Sequence, residues 1–178
     1  MVCPNSQRNG TLREAEIVHK DLGARNVLLD ENRRAKVADF GMALSDRQPH
    51  ASCDYLPVRW TAPEGIIDKK FSSASDVLSF GITLWEMFTF GQKPYTGLGI
   101  NEYKEKIRKN YEMKKNAFRC QKSFQLSKAT EKEQKNVYSI VTRCWDINPA
   151  ERPDFSDLEE VLHHFHLTGD LIIETSFL

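Results

Sequence analysis

Two carboxylates with unusual neighbours stand early in the chain. Asp21 lies four positions before Arg25 and five before the amide of Asn26, within His19-Lys20-Asp21-Leu22-Gly23-Ala24-Arg25-Asn26. Asp39 follows thirteen residues after Asn26, locked to Phe40 and Gly41. An acid beside a guanidinium and an amide, followed by a second acid in a tight run, is a phosphoryl-transfer layout. That reaction has a loose transition state, whose charge must be neutralised while two oxygens are held in line.

Short elements must position these groups. Val27-Leu28-Leu29 and Ala35-Lys36-Val37-Ala38 read as two strands joined by the turn-forming Asp30-Glu31-Asn32. Residues 42–56 read as irregular, with Asp46, Pro49 and Asp54 against regular structure. From Ser75 to Phe88 the chain is apolar on nearly every side, through Val77, Leu78, Phe80, Ile82, Leu84 and Trp85. This predicts a buried central helix that stops near Gly91, with Asp76 complementing the dipole at its start.

Three amphipathic helices are predicted after it. Around 102–109, Tyr103 and Ile107 share a face; Val137, Ile140, Val141 and Cys144 then recur at i, i+3, i+4 and i+7. Ser156-Asp157-Leu158-Glu159 reads as a capping box opening a helix that turns Leu158, Val161, Leu162 and Phe165 inward. His163, His164 and His166 do not place three ligands on one helix face, so they read as a solvated helix end.

Composition narrows the function classes. The 178 residues fit one domain with one good core. Lys and Arg number 25 against 25 acids, and nothing global points to nucleic acid. No stretch approaches the ~18–20 apolar residues of a membrane span. The first eighteen residues hold no apolar run of a secretory leader. Cys3, Cys53, Cys120 and Cys144 are scattered, which reads as reduced thiols in a cytoplasmic protein. Residues 104–135 carry eleven Lys or Arg against four acids, read as a polar, solvated insertion at about 112–135.

The 19–26 and 39–41 runs, with Ala62-Pro63-Glu64 downstream, resemble the signature motifs of protein kinases, whose pattern is His-Arg-Asp-Leu-x-x-x-Asn and Asp-Phe-Gly. Where serine/threonine kinases place a Lys two positions after the Asp, this chain has Gly23. Ala24-Arg25-Asn26 and Pro57-Val58-Arg59-Trp60-Thr61-Ala62-Pro63-Glu64 are similar to the tyrosine branch, the former to receptor-type and several cytoplasmic enzymes more than to Src-type ones. The resemblance implies a mainly α fold, a kinase-like C-terminal lobe with short strands around the catalytic and metal-binding loops. It implies ATP and Mg²⁺ as cofactors and a tyrosine-containing protein as substrate.

The same resemblance assigns roles. Asp21 would take or orient the proton of the attacking hydroxyl, and Arg25 would neutralise charge beside it. Asn26 and Asp39 would hold Mg²⁺, and Leu28 would floor the adenine ring. Pro57 would pack on the substrate tyrosyl ring, with Trp60 beside it. His19, Lys20, Phe40, Gly41 and Asp76 would support the loops, Asp76 by tying down the catalytic-loop backbone. Glu64 would pair with Arg152. On this reading residues 1–17 form an irregular segment, 18–167 the lobe and 168–178 a tail. A parent receptor would place the chain at the cytoplasmic face of the plasma membrane.

Several features depart from the family pattern. Lys20 replaces an Arg fork with a point charge. Tyr55 is the only tyrosine between Asp39 and Pro57, and Leu78 stands where the family has Trp. The residues before His19 contain no Gly-x-Gly-x-x-Gly loop or phosphate-gripping Lys. The chain therefore resembles a lower lobe alone, whose cleft face near Val18, Leu28 and Leu29 is expected to be exposed and covered by a partner or an upper lobe. The alternative reading is a non-catalytic, pseudokinase-like scaffold or a truncated fragment.

Overall fold

A computed structural model describes residues 17–45, 56–113 and 131–167. Most of the 1–17 segment, the middle of the 42–56 stretch with Tyr55, residues 114–130 of the insertion and the 168–178 tail lie outside the described residues. So do Cys3, Cys53 and Cys120.

The protein is mainly helical, as the sequence predicts, and is built around α2 (Ser73–Phe88). Its apolar residues bury on every side, and Val77, Leu78, Ile82 and Trp85 are essentially inaccessible. The helix starts two residues before the predicted Ser75. There Ser75 Oγ accepts from Ser72 N (3.0 Å) and donates to Ser72 O (2.6 Å), closing the first turn. Gly91, at φ 75°, follows its end. Leu78 is fully enclosed by the core despite being smaller than the Trp of the family pattern.

Around it lie α1 (Pro63–Ile67), α3 (Ile100–Glu112), α4 (Glu131–Cys144) and α5 (Phe155–Leu167). Tyr103 and Ile107 of α3, and Val137, Ile140, Val141 and Cys144 of α4, join the core along the predicted faces. Leu158 of α5 is buried, with Val161, Leu162 and Phe165 packed partly against the same core. The Tyr111 hydroxyl donates to Asp68 Oδ2 (2.9 Å), linking α3 to the residue that caps α1. Helix α4 begins at Glu131, inside the span predicted as insertion.

The α5 cap corrects the sequence reading. Asp154, not Ser156, opens the helix: its Oδ1 accepts from Asp157 N (2.8 Å) and from the Ser156 hydroxyl (2.9 Å), while Asp154 N reaches Asp157 Oδ2 (3.3 Å). A carboxylate one residue before the helix wins over a hydroxyl already inside it.

Two small antiparallel pairs flank the helices. Strands β2 (Val27–Leu29) and β3 (Ala35–Val37) pair Val27 with Val37 and Leu29 with Ala35, around the predicted turn. Strands β1 (Ile17–Val18) and β4 (Leu44–Ser45) pair Ile17 with Ser45. This gives regular structure to the start of a stretch read as irregular. It also changes the expected exposed face: Val18 is buried, Leu29 is half-buried, and Leu28 is 56% exposed.

Candidate active site

The 19–26 loop is fixed from below by one carboxylate. Asp76, in the first turn of α2, accepts from His19 N at Oδ2 (2.6 Å) and from Lys20 N at Oδ1 (2.9 Å). The bonds point at backbone, so they hold the loop whatever its side chains do. Burial pushes the Asp76 carboxyl above its ordinary 3.8, and the two N–H groups oppose that rise. Lys20 has a left-handed backbone, φ 67°, of the kind stored at functional sites. Its ammonium is buried 4.5 Å from the centroid of the Phe71 ring, without a hydrogen-bond partner among the described residues.

His19 links the two motifs. Its ring lies 4.8 Å from that of Phe40, and Nε2 is 3.1 Å from Ala38 O. Asp21 N donates to the other ring nitrogen, Nδ1, at 3.3 Å.

Asp21 is gripped on both oxygens. The Arg25 guanidinium pairs with Oδ1, and Asn26 Nδ2 donates to Oδ2 (2.9 Å) and to Asp21 O (2.7 Å). A single 3₁₀ turn, Ala24–Asn26, supplies this geometry by bringing the Arg and the amide back onto the acid. The Asn26 amide nitrogen is thereby committed to Asp21, and its Oδ1 accepts no hydrogen bond among the described residues.

Asp39 approaches through the backbone, because Ala38 N donates to Asn26 O (2.8 Å). It too is left-handed (φ 60°, ψ 70°), and its Oδ1 accepts from Gly41 N (3.3 Å) at the start of the 40–42 turn. An amide oxygen and an exposed carboxylate are hard donors suited to Mg²⁺, which keeps waters and phosphate oxygens beside one or two protein ligands. Among the described residues no cluster of three or more His, Cys, Asp or Glu could hold a metal unaided.

Trp60 sits beside this group, its ring 4.7 Å from the Arg25 guanidinium carbon. Pro57 opens the same segment; Pro57 O accepts from Trp60 N (2.8 Å) and Thr61 Oγ1 (3.1 Å), so the two residues share one tight turn. Leu28 lies exposed on β2. Glu64 and Arg152 form a bidentate pair at 2.6 and 3.0 Å. Arg152 also donates to Ala74 O and Asp146 O, both at 2.8 Å.

Two residues of this region escaped the sequence reading. Arg59 donates to the carbonyls of Pro94 (2.9 Å), Tyr95 and Leu98 (2.6 Å), binding its segment to the loop between α2 and α3. Glu86, buried in α2, accepts from Ala24 N and the Trp60 indole. A lone acid on the inner side of an apolar helix was the available signal, since buried carboxylates are rare without partners. A depression of about 300 Å³ between α1 and α3, lined by Ile66, Ile67, Lys104 and Arg108 among others, contains none of the predicted site residues.

Residues 10–162 match the family model for protein tyrosine and serine/threonine kinase. The chain is 40% identical to human tyrosine-protein kinase Srms over 92% of its own length and 31% of that protein. It is 38% identical to tyrosine-protein kinase Src64B of Drosophila melanogaster over 90% of its length and 27% of that protein. Likeness to vascular endothelial growth factor receptor 3 of Coturnix coturnix is 39%, over 85% of this chain and 10% of the receptor. The chain thus spans about a third or less of the curated relatives it matches.

Proposed function

From the chain's membership of the protein tyrosine and serine/threonine kinase family, we propose that it carries the lower half of a catalytic cleft that transfers the γ-phosphoryl group of ATP to protein tyrosine. The observation that carries this reading is the clamp on Asp21, with Arg25 on one oxygen, Asn26 on the other, and Asp39 joined to Asn26 through Ala38. Asp21 is the acceptor that orients the phenolic hydroxyl and receives its proton. Asn26 and Asp39 would hold the Mg²⁺, and Arg25 offsets negative charge beside Asp21. Mg·ATP, when bound, supplies the phosphoryl group and the divalent charge that screens it.

Tyrosine preference rests on the resemblance of Ala24-Arg25-Asn26 and the 57–64 segment to the tyrosine branch, with Gly23 where the serine/threonine pattern has Lys. A Cβ at Gly23 would lie 2.5 Å from Nη1 at the far end of the Arg25 side chain, so Arg25 would have to shift from this pose to admit one. Pro57 and Trp60 then form the shelf for the tyrosyl ring.

A scaffold reading is favoured by one observation: Lys20 puts a point charge where the family pattern has an Arg fork. One experiment separates the two. The chain is joined to an upper lobe carrying a Gly-x-Gly-x-x-Gly loop, the phosphate-gripping Lys and its Glu partner, and tyrosine-peptide phosphorylation is measured. Transfer should appear. Asp21→Asn should lower it by about 10²–10⁴-fold, while Asp39→Asn should lose it with partial rescue by excess Mg²⁺. A folded, ATP-binding fusion that phosphorylates no tyrosine peptide leaves the scaffold reading.

A further inference from the structure

Glu86 is 8% exposed in an otherwise apolar stretch of α2. A carboxylate placed there loses its hydration, so its partners must compensate. No basic side chain pairs with it among the described residues. Its Oε2 alone receives both compensating bonds, from Ala24 N (2.9 Å) and from Trp60 Nε1 (2.8 Å). Bonds to an ionised acceptor are the strong kind, and here they join two segments 36 residues apart in sequence.

The two donors bracket Arg25. Ala24 is its neighbour in the 3₁₀ turn, and the Trp60 ring carries its guanidinium. Gly23 leaves the space that Arg25 occupies on another side, since a Cβ there would stand 2.5 Å from Arg25 Nη1 and 3.3 Å from Trp60 Nε1. With these sides taken, Arg25 is directed at Asp21 Oδ1. A guanidinium on an exposed side chain would otherwise sample many rotamers.

We propose that Glu86 is a positioning residue for Asp21, acting through Trp60 and Arg25. It fixes the indole that serves as the bed for Arg25, and so fixes the direction from which Asp21 is held. The inference rests on the assignment of Asp21 as the proton acceptor only for its catalytic meaning; the mechanical chain from Glu86 to Asp21 stands on geometry.

The test uses the 178-residue chain with isotope labels, comparing Glu86→Gln, Glu86→Leu and Trp60→Phe by NMR. Three signals report the chain of contacts: the Trp60 indole N–H, the ring-current shift of the Arg25 δ-protons, and the Asp21 carboxyl carbon. Glu86→Gln keeps an acceptor oxygen and should keep the Arg25 and Asp21 signals near their original positions. Glu86→Leu should move all three, with the Arg25 protons losing their ring-current shift. Trp60→Phe, which leaves the Ala24 bond intact, should displace Arg25 and Asp21 equally and serves if Glu86→Leu does not fold.

A purely structural role for Glu86 would leave the Asp21 carbon in place in the folded variant, and that result overturns the proposal. None of these signals needs turnover. Absence of phosphoryl transfer in the fusion assay would therefore count against the kinase reading and leave this coupling to be judged separately.

Discussion

At Asp76 one carboxylate holds two consecutive backbone N–H groups of the 19–26 loop, and its ionisation is legible in stability. Burial keeps its proton bound to a higher pH than the ordinary 3.8. In the window just above 3.8 the folded chain therefore binds more protons than the unfolded one, and stability falls as pH rises through it. Asp76→Asn removes this titration while offering one acceptor oxygen where two donors converge, a loss of about 1–3 kcal/mol. Urea titrations from pH 3 upward should show the native protein's advantage over the variant shrinking as pH rises past 3.8. A difference independent of pH would mean that the Asp76 proton leaves at the same pH in both states. Residues were legible where chemistry forces their spacing, as at Asp21, Arg25 and Asn26. Glu86 and Arg59 were not, because their partners are a backbone N–H, an indole and three carbonyls that no motif specifies.

At the scale of elements, α2 and α4 approach closely because Gly81 lies between them. A Cβ there would come within 2.6 Å of Cys144 Cβ and 2.9 Å of Trp145 Nε1. The first is a rigid contact close to the backbone, so the helices must separate to admit a methyl group. Gly81→Ala should lower stability by about 1–3 kcal/mol, seen as a lower urea midpoint at unchanged slope; an unchanged midpoint would show that the crossing can open freely. The helices themselves were readable from periodicity, since burial on all sides of α2 and on one stripe of α4 leaves an apolar pattern. The β1–β4 pair was not readable. Two-residue strands carry no alternation, and their pairing joins Val18 to Leu44 across the intervening 19–43 segment. The α5 cap was misplaced by two residues because Ser and Glu fit the usual pattern, while the operative pair is Asp154 with Asp157.

For the whole molecule, four of the large apolar side chains exposed among the described residues, Ile17, Leu28, Val37 and Phe40, belong to the strands and turn around the candidate site, with Leu28 and Val37 on opposite faces of the β2–β3 pair. Apolar side chains that join into a contiguous exposed patch mark surfaces that bind something or associate with themselves. Leu28→Lys should lower hydrophobic-dye binding and self-association in sedimentation, and equal values for both proteins would show that Leu28 contributes nothing to that surface. The ion pair of Glu64 and Arg152 acts at the same scale, since it joins residues 88 positions apart. Contacts of that separation need a large loop to close first. The bond is therefore expected to form after the folding barrier has been crossed. Breaking it should cost about 3–5 kcal/mol, and by this reasoning the loss falls on the unfolding rate. Glu64→Gln should lift the unfolding limb of the chevron by about two orders of magnitude or more and leave the folding limb nearly where it was. A slowed folding limb would instead place the pair inside the nucleus. Seen this way, Glu64 and Arg152 govern the lifetime of the folded chain, not the speed with which it forms.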